Sequence, residues 1–165
     1  MGRHEGAIRW YATMRLESRH MSRFYDIDAA NAAIPELDGI VGILRQQREE
    51  LVRLRDDIVA RGAGGEGAPE AVTAPTGSGE APISNDLRLI RLRMQGLIDQ
   101  MAAGVARIDA LGLTLRDIER GLVDFPALVS GRQVWLCWKH GEAVISWWHD
   151  LETGFDGRRV LAELA

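Results

Sequence analysis

The sequence predicts an α+β fold: a long antiparallel two-helix, coiled-coil-like hairpin packed on a C-terminal three-stranded antiparallel β-meander. Three observations point there. Apolar residues recur every three and four positions on both sides of a Gly/Pro-rich interruption. After Gly121 the pattern changes to short β-type runs separated by Gly-containing turns. Finally, every aromatic residue between positions 26 and 165 lies from Phe125 to Phe155. The 165 residues amount to about one domain at roughly 100 to 200 residues per domain.

Residues 1–23 read as a basic, disordered extension. They carry Arg3, Arg9, Arg15, Arg19 and Arg23 against Glu5 and Glu17, and they show no clean periodicity. Met21 precedes the first segment that reads as structured, so either Met1 or Met21 could be the start. The single α+β domain is assigned to 24–165. Its first helix should begin near Asp28, with Pro35 kinking or restarting it. Leu37, Ile40, Leu44, Leu51, Leu54 and Ile58 hold heptad a and d positions, with Gln47 the polar interruption. Residues 62–83 contain six Gly and three Pro and no aromatic or basic residue. Such a composition cannot bury enough apolar surface to offset its ordering entropy, so it reads as a flexible linker. Ser84, Asn85 and Asp86 offer an N-cap to the second helix, whose stripe is Leu87, Ile90, Met94, Leu97, Met101, Ile108 and Leu111, with Gly104 at the remaining seam position. Gly62 and Gly112 stand where helices end.

Three runs then read as strands: VDFPALV, QVWLCWK and AVISWWH, separated by Ser130-Gly131 and His140-Gly141. Alternation places Val134, Leu136, Trp138, Ile145 and Trp147 on one face, and Trp135, Cys137, Val144 and Trp148 on the other. With helices on one side only, the second face should be an exposed aromatic patch.

Charge and cysteine content exclude several classes. The net charge of −4 splits into +3 over residues 1–23 and −7 over the rest, so the folded body lacks the positive field that nucleic acid or an anionic membrane needs. Nucleic-acid contact is confined to the basic 1–23 segment. Nineteen of the 20 basic residues are Arg, but they are spread evenly among acids and mark no patch. No run approaches the roughly 20 apolar residues of a membrane span. The lone Cys137 can form no internal disulfide, which makes the cytoplasm the expected compartment.

The runs FYDIDAANAAIPEL (24–37) and GLVDFPALVSGRQVWLCWKHGEAVISWWHDLETGFDGRR (121–159) resemble the bacterial "domain of unknown function 2203" proteins. Those open with an aromatic residue ahead of an Ala-Asn and Pro segment, and close on Gly-Leu-x-Asp-Phe-Pro, Cys-Trp and Trp-His blocks. The resemblance covers most of residues 24–161 and implies no established activity. This chain departs from the pattern in its longer Gly/Pro-rich insertion and in Val144, where an acidic residue is common.

Two groups of residues could carry chemistry. Cys137-x-x-His140 with Asp124 suggests a zinc or thiolate site. A two-residue turn at His140-Gly141 would set Cys137 across from Val144 and His149 about 17 Å farther along, so Cys137 and His149 should not share a metal, and the expected outcome is a small buried Cys137 that packs as a hydrophobe and a solvated turn His140. The second group is His149, Asp150, Glu152, Asp156, Arg158 and Arg159. His149 and Glu152 would share a face in one helical turn and could bind a divalent metal. Arg158 could hold a small anion, or it could pair with Glu152 or Asp156. No nucleophile elbow, Walker loop, dinucleotide glycine fingerprint or His-Glu-x-x-His motif is present.

Two functional readings result. The first is a non-enzymatic interaction or dimerisation module. It would bind a second copy or another protein through the helical seam (Leu44, Leu51, Leu97, Met101) and the aromatic sheet face (Trp135, Trp148). The second is a metal- or small-anion-binding protein, with hydrolysis as one outcome, that uses His149, Glu152 and Arg158.

Overall fold

The computed structural model describes residues 23–63 and 85–164. The expectations about a basic extension before position 23, a start at Met21, the 62–83 linker beyond Ala63 and a cap from Ser84 fall outside these residues. Two helices, α1 (Ile27–Ala63) and α2 (Asn85–Ala110), precede five strands: β1 (Thr114–Asp117), β2 (Leu122–Val129), β3 (Arg132–Lys139), β4 (Trp147–His149) and β5 (Arg159–Val160). The strands form one sheet of order β1-β2-β3-β4-β5, with every neighbouring pair antiparallel.

Helix α1 starts where Asp26 Oδ1 accepts the Ala29 N–H at 2.7 Å, an N-cap bond that satisfies one otherwise orphaned donor. Pro35 lies inside the helix without ending it. The helix also passes through Gly62 to Ala63 instead of stopping at the glycine. Helix α2 closes in a Schellman motif: the Gly112 N–H bonds to Asp109 O at 2.8 Å, and the Leu113 N–H to Ile108 O at 3.2 Å.

The predicted heptad positions face inward. Leu37, Ile40, Leu44, Leu97 and Ile108 are buried, while Leu51, Leu54, Ile58, Leu87, Ile90, Met94 and Met101 are half-buried. Polar pairs Glu36–Arg107, Gln47–Gln100, Glu50–Arg93 and Arg61–Asp86 cross between the helices in opposite sequence order, so the two run antiparallel. At Gly104 a Cβ would lie 2.8 Å from Leu44 Cδ2. The missing side chain therefore makes room for a fully buried leucine.

One sheet face, formed by Val123, Phe125, Ala127, Val134, Leu136, Trp138 and Trp148, packs into a core with Ala30, Ile34, Leu37 and Val41 of α1. Tyr25 ties the start of α1 to both layers. Its N–H donates to Pro126 O at 2.8 Å, its hydroxyl donates to Leu111 O at 2.6 Å, and its ring meets Phe125 edge-on.

The sheet differs from the predicted meander in strand number and register. Strands β1 and β5 are only four and two residues long, too short to show a period of two. Between β3 and β4 the chain does not make a two-residue turn, because residues 140–146 are anchored elsewhere. Ile145 is buried, and its N–H donates to Asn31 Oδ1 of α1 at 2.7 Å. Trp138 Nε1 donates to Glu142 O at 2.8 Å. Cys137 consequently pairs with Trp147 and Leu136 with Trp148. Trp148 thus joins the core and Trp147 the opposite face, the reverse of the expectation.

Gly121 has φ +68, and a Cβ there would lie 2.5 Å from His140 Cβ. Gly121→Ala combines a left-handed backbone with overpacking and should destabilise the chain by about 2–4 kcal/mol. Urea denaturation checks this, and a loss below about 0.5 kcal/mol would show that the turn relaxes freely. Among the described residues no helix is long and apolar enough to cross a membrane.

Candidate metal centre

The register of β2, β3 and β4 gathers three ligand-type side chains on the sheet face away from the helices. Asp124 stands directly opposite Cys137. His149 stands opposite Trp135, hence diagonal to Cys137 on the same face. The carboxylate, thiol and imidazole ligand atoms all lie within 4.8 Å of one another, and all three residues are buried. This is the only such group of three or more among the described residues.

Strand β1 adds a fourth participant. Its ladder slips between Leu115 and Asp117, leaving Arg116 as the extra residue of a bulge, a device that re-aims a side chain. Arg116 Nε donates to Asp124 Oδ2 at 2.6 Å, and its guanidinium lies 5.0 Å from the Trp135 ring centroid. These side chains form the floor of a cavity of about 220 Å³, whose other walls are Leu122, Leu151, Glu152, Gly154 and Phe155.

The hydrogen bonds of His149 determine what its ring can do. Nδ1 is 2.8 Å from the Asp150 carbonyl, which only accepts, so Nδ1 carries a proton. Nε2 is 3.1 Å from Asp124 Oδ2. Facing a carboxylate, Nε2 needs either a second proton or a cation in its place. The Nδ1–H to carbonyl bond is the arrangement that aims a ligand histidine's Nε2 at a metal.

Charge follows from the same contacts. Burial pushes the Asp124 carboxyl up, but hydrogen bonds and charge from His149 and Arg116 outweigh it and hold the group below its usual value. Burial likewise disfavours the His149 imidazolium, yet the bonds to Asp124 and the Asp150 carbonyl prevail and raise its pKa. Burial, reinforced by the Asp124 charge and partly offset by Arg158, pushes the Cys137 thiol up to about 12. With the site protonated in this way, Cys137 is a neutral thiol and a poor nucleophile.

The structure redistributes the residues singled out from the sequence. His149 and Cys137, expected to stand far apart, converge because the β3–β4 register is displaced by the anchored loop. Asp124 does accompany Cys137, but His140 does not: it accepts from Arg45 Nη1 at 3.0 Å and lies 3.6 Å from Asp38 against α1. Glu152 lines the cavity with His149 yet is exposed and outside the converging group. Residues 151–154 form turns and not the helical turn that would have joined them.

Arg158 pairs with neither Glu152 nor Asp156. It lies 3.7 Å from Glu142 and stacks on Phe155 and Trp147, at 3.7 and 5.1 Å from their ring centroids. Its Nη1 is buried without a hydrogen-bond partner. Of the residues named as an interface, Trp148, Leu44 and Leu97 are buried in the chain's own core. Leu51 and Met101 are half-buried along the helix pair, and Trp135 is half-buried beneath Arg116. With Arg158 also over Trp147, the outer sheet face is an arginine-capped surface and not an open aromatic patch. Arg116 was missed because a bulge leaves no periodic signature.

Nothing among curated proteins or solved structures matches the chain. A family model described as "Uncharacterized conserved protein (DUF2203)" matches residues 23–161, a span that includes both helices and the whole sheet, and the chain belongs to that family.

Proposed function

We propose that this chain is a zinc-binding protein whose metal, held by Asp124, Cys137 and His149, faces the adjoining cavity and supports hydrolytic chemistry there. The observation that carries the reading is the convergence, within 4.8 Å and out of solvent, of one oxygen, one sulfur and one nitrogen donor from three neighbouring strands. Ligands at 2.0–2.3 Å from a tetrahedral zinc lie roughly 3.3–3.8 Å apart, so a bound ion would draw the group inward by about an ångström at its widest. A mixed sulfur, nitrogen and oxygen set favours zinc over the oxygen-seeking magnesium and calcium.

Three protein ligands would leave a fourth position, the feature that separates catalytic from structural zinc sites, and all three residues line the cavity. Bound zinc would act as a Lewis acid on a carbonyl or phosphoryl oxygen or on a water. The chain's own side chains supply the setting. Arg116 bonds the Asp124 carboxylate and keeps it oriented, the Asp150 carbonyl fixes the His149 ring, and Leu122, Leu151 and Phe155 give the walls an apolar lining. Glu152, exposed at the rim, is the candidate general base. A thiolate ligand requires reduced Cys137, which fits a cytoplasmic protein.

An interaction or dimerisation module is less well supported. The seam of the helix pair is occupied by the chain itself, and large apolar residues left exposed on the helices, such as Ile43, Val59, Leu89 and Leu92, lie outside that seam.

Elemental analysis of the full chain purified without chelator tests the proposal. One zinc per chain, removed by chelator and restored by added zinc, is the expected result. Protein that carries no metal and takes none up from a zinc titration would overturn it.

A further inference from the structure

We infer that the cavity beside Asp124, Cys137 and His149 takes a small substrate bearing an oxyanion, a carboxylate or a phosphate ester, and that Arg116 grips that oxyanion. The inference rests on the metal reading for what happens next to the anion, but the Arg116 subsite stands on its own contacts.

Arg116 is held at one edge only. Its Nε bonds Asp124 Oδ2 at 2.6 Å, and the Trp135 ring supports the guanidinium plane from 5.0 Å. Its two terminal nitrogens donate to no described residue. The side chain lines the cavity and is 41% exposed. An arginine that is fixed in plane and angle, with its outer pair of N–H groups free, is prepared for the two-pronged recognition that planar or tetrahedral oxyanions offer. Because Asp124 and the Trp135 ring already hold it, little side-chain entropy remains to be lost on binding.

The surroundings restrict the ligand further. A cavity of about 220 Å³ admits a small molecule or the end group of a larger one. Leu122, Leu151 and Phe155 line it with apolar surface, which suits a short hydrocarbon portion next to the charged group. The Asp124 carboxylate is engaged by Arg116 and His149, so Glu152 is the carboxylate left at the rim to oppose an incoming anion. Removing the Glu152 charge should therefore tighten anion binding, whereas removing Arg116 should loosen it.

The test is calorimetric titration of zinc-loaded full chain, its metal content measured, with inorganic phosphate and separately with acetate. Wild type, Arg116→Gln, Arg116→Lys and Glu152→Gln are compared. The expected result is one-to-one binding of at least one anion by wild type. At matched zinc occupancy, Arg116→Gln should lose roughly tenfold or more, Arg116→Lys should lose less because the charge remains, and Glu152→Gln should gain. Preference for phosphate or for acetate then identifies the ester or the carboxylate class. Binding by Arg116→Gln within about twofold of wild type, or no binding of either anion by wild type, overturns the inference. If the chain loads no zinc, the metal reading fails separately. The same titrations on metal-free protein then read Arg116 alone, by the same two criteria.

Discussion

Cys137→Ser should abolish tight zinc binding in a chain that still folds. In the metal-free protein Cys137 is a neutral, buried thiol with its pKa pushed up to about 12, so it packs as a small hydrophobe. Exchanging sulfur for a buried hydroxyl should cost about 1–3 kcal/mol of stability. Its weight in metal binding is far larger, because the thiolate is the softest donor of the group and anchors the β3 side of the site. Zinc affinity should fall by at least about a hundredfold, beyond the 10- to 100-fold that follows loss of a ligand's hydrogen-bond partner. Competition against a chromophoric chelator gives the affinity. Thermal melts with and without zinc give an independent reading: wild type should be stabilised by the ion and Cys137→Ser should not. A serine variant that binds zinc as tightly as wild type would place the metal elsewhere.

Asp124→Asn is the second large effect, and it acts on the fold as well as on the metal. Asp124 and His149 are 2% and 1% exposed, and the carboxylate accepts from both His149 and Arg116 through Oδ2. Breaking a buried pair by neutralising one member costs about 3–5 kcal/mol. His149 can shed a proton and Arg116 reaches solvent, so the lower end, about 3 kcal/mol, is expected. Urea unfolding of chelator-treated protein measures it. Glu152→Gln, at the exposed rim of the same cavity, should stay within about 0.5 kcal/mol of wild type. Equal effects from the two substitutions would mean that the buried pair contributes nothing.

The helical half of the fold was legible because its signal is local. A stripe recurring every three and four residues depends only on which side of each helix is covered. The predicted stripe residues between Leu37 and Ile58 and between Leu87 and Leu111 are buried or half-buried. The sheet was legible as β3 and its partners but not in register. Register there depends on residues 140–146, and their path is set by a contact from Ile145 to Asn31 on a distant helix. Nothing in the dipeptide His140-Gly141 announces that contact. The consequence passed directly to the site. A two-residue turn would have kept Cys137 and His149 far apart and offered His140 as the nearer partner, whereas the longer connection brings His149 onto the face that already carries Asp124 and Cys137. Arg116 was hidden for a related reason, since the β1 bulge interrupts the alternation that would have assigned its face.

Cobalt in place of zinc would report on the ligand set by its spectrum. Co²⁺ titrated into the full chain, after chelator treatment and under reducing conditions, should saturate at one ion per chain. It should give the intense visible bands of a low-symmetry four-coordinate centre and a near-ultraviolet charge-transfer band from a thiolate ligand. Because Cys137 is the chain's sole cysteine, that charge-transfer band can arise from no other side chain, and it should vanish in Cys137→Ser. Weak bands of six-coordinate cobalt without the thiolate transition, or four-coordinate visible bands that stay unchanged in Cys137→Ser, would contradict a metal centre built from Asp124, Cys137 and His149.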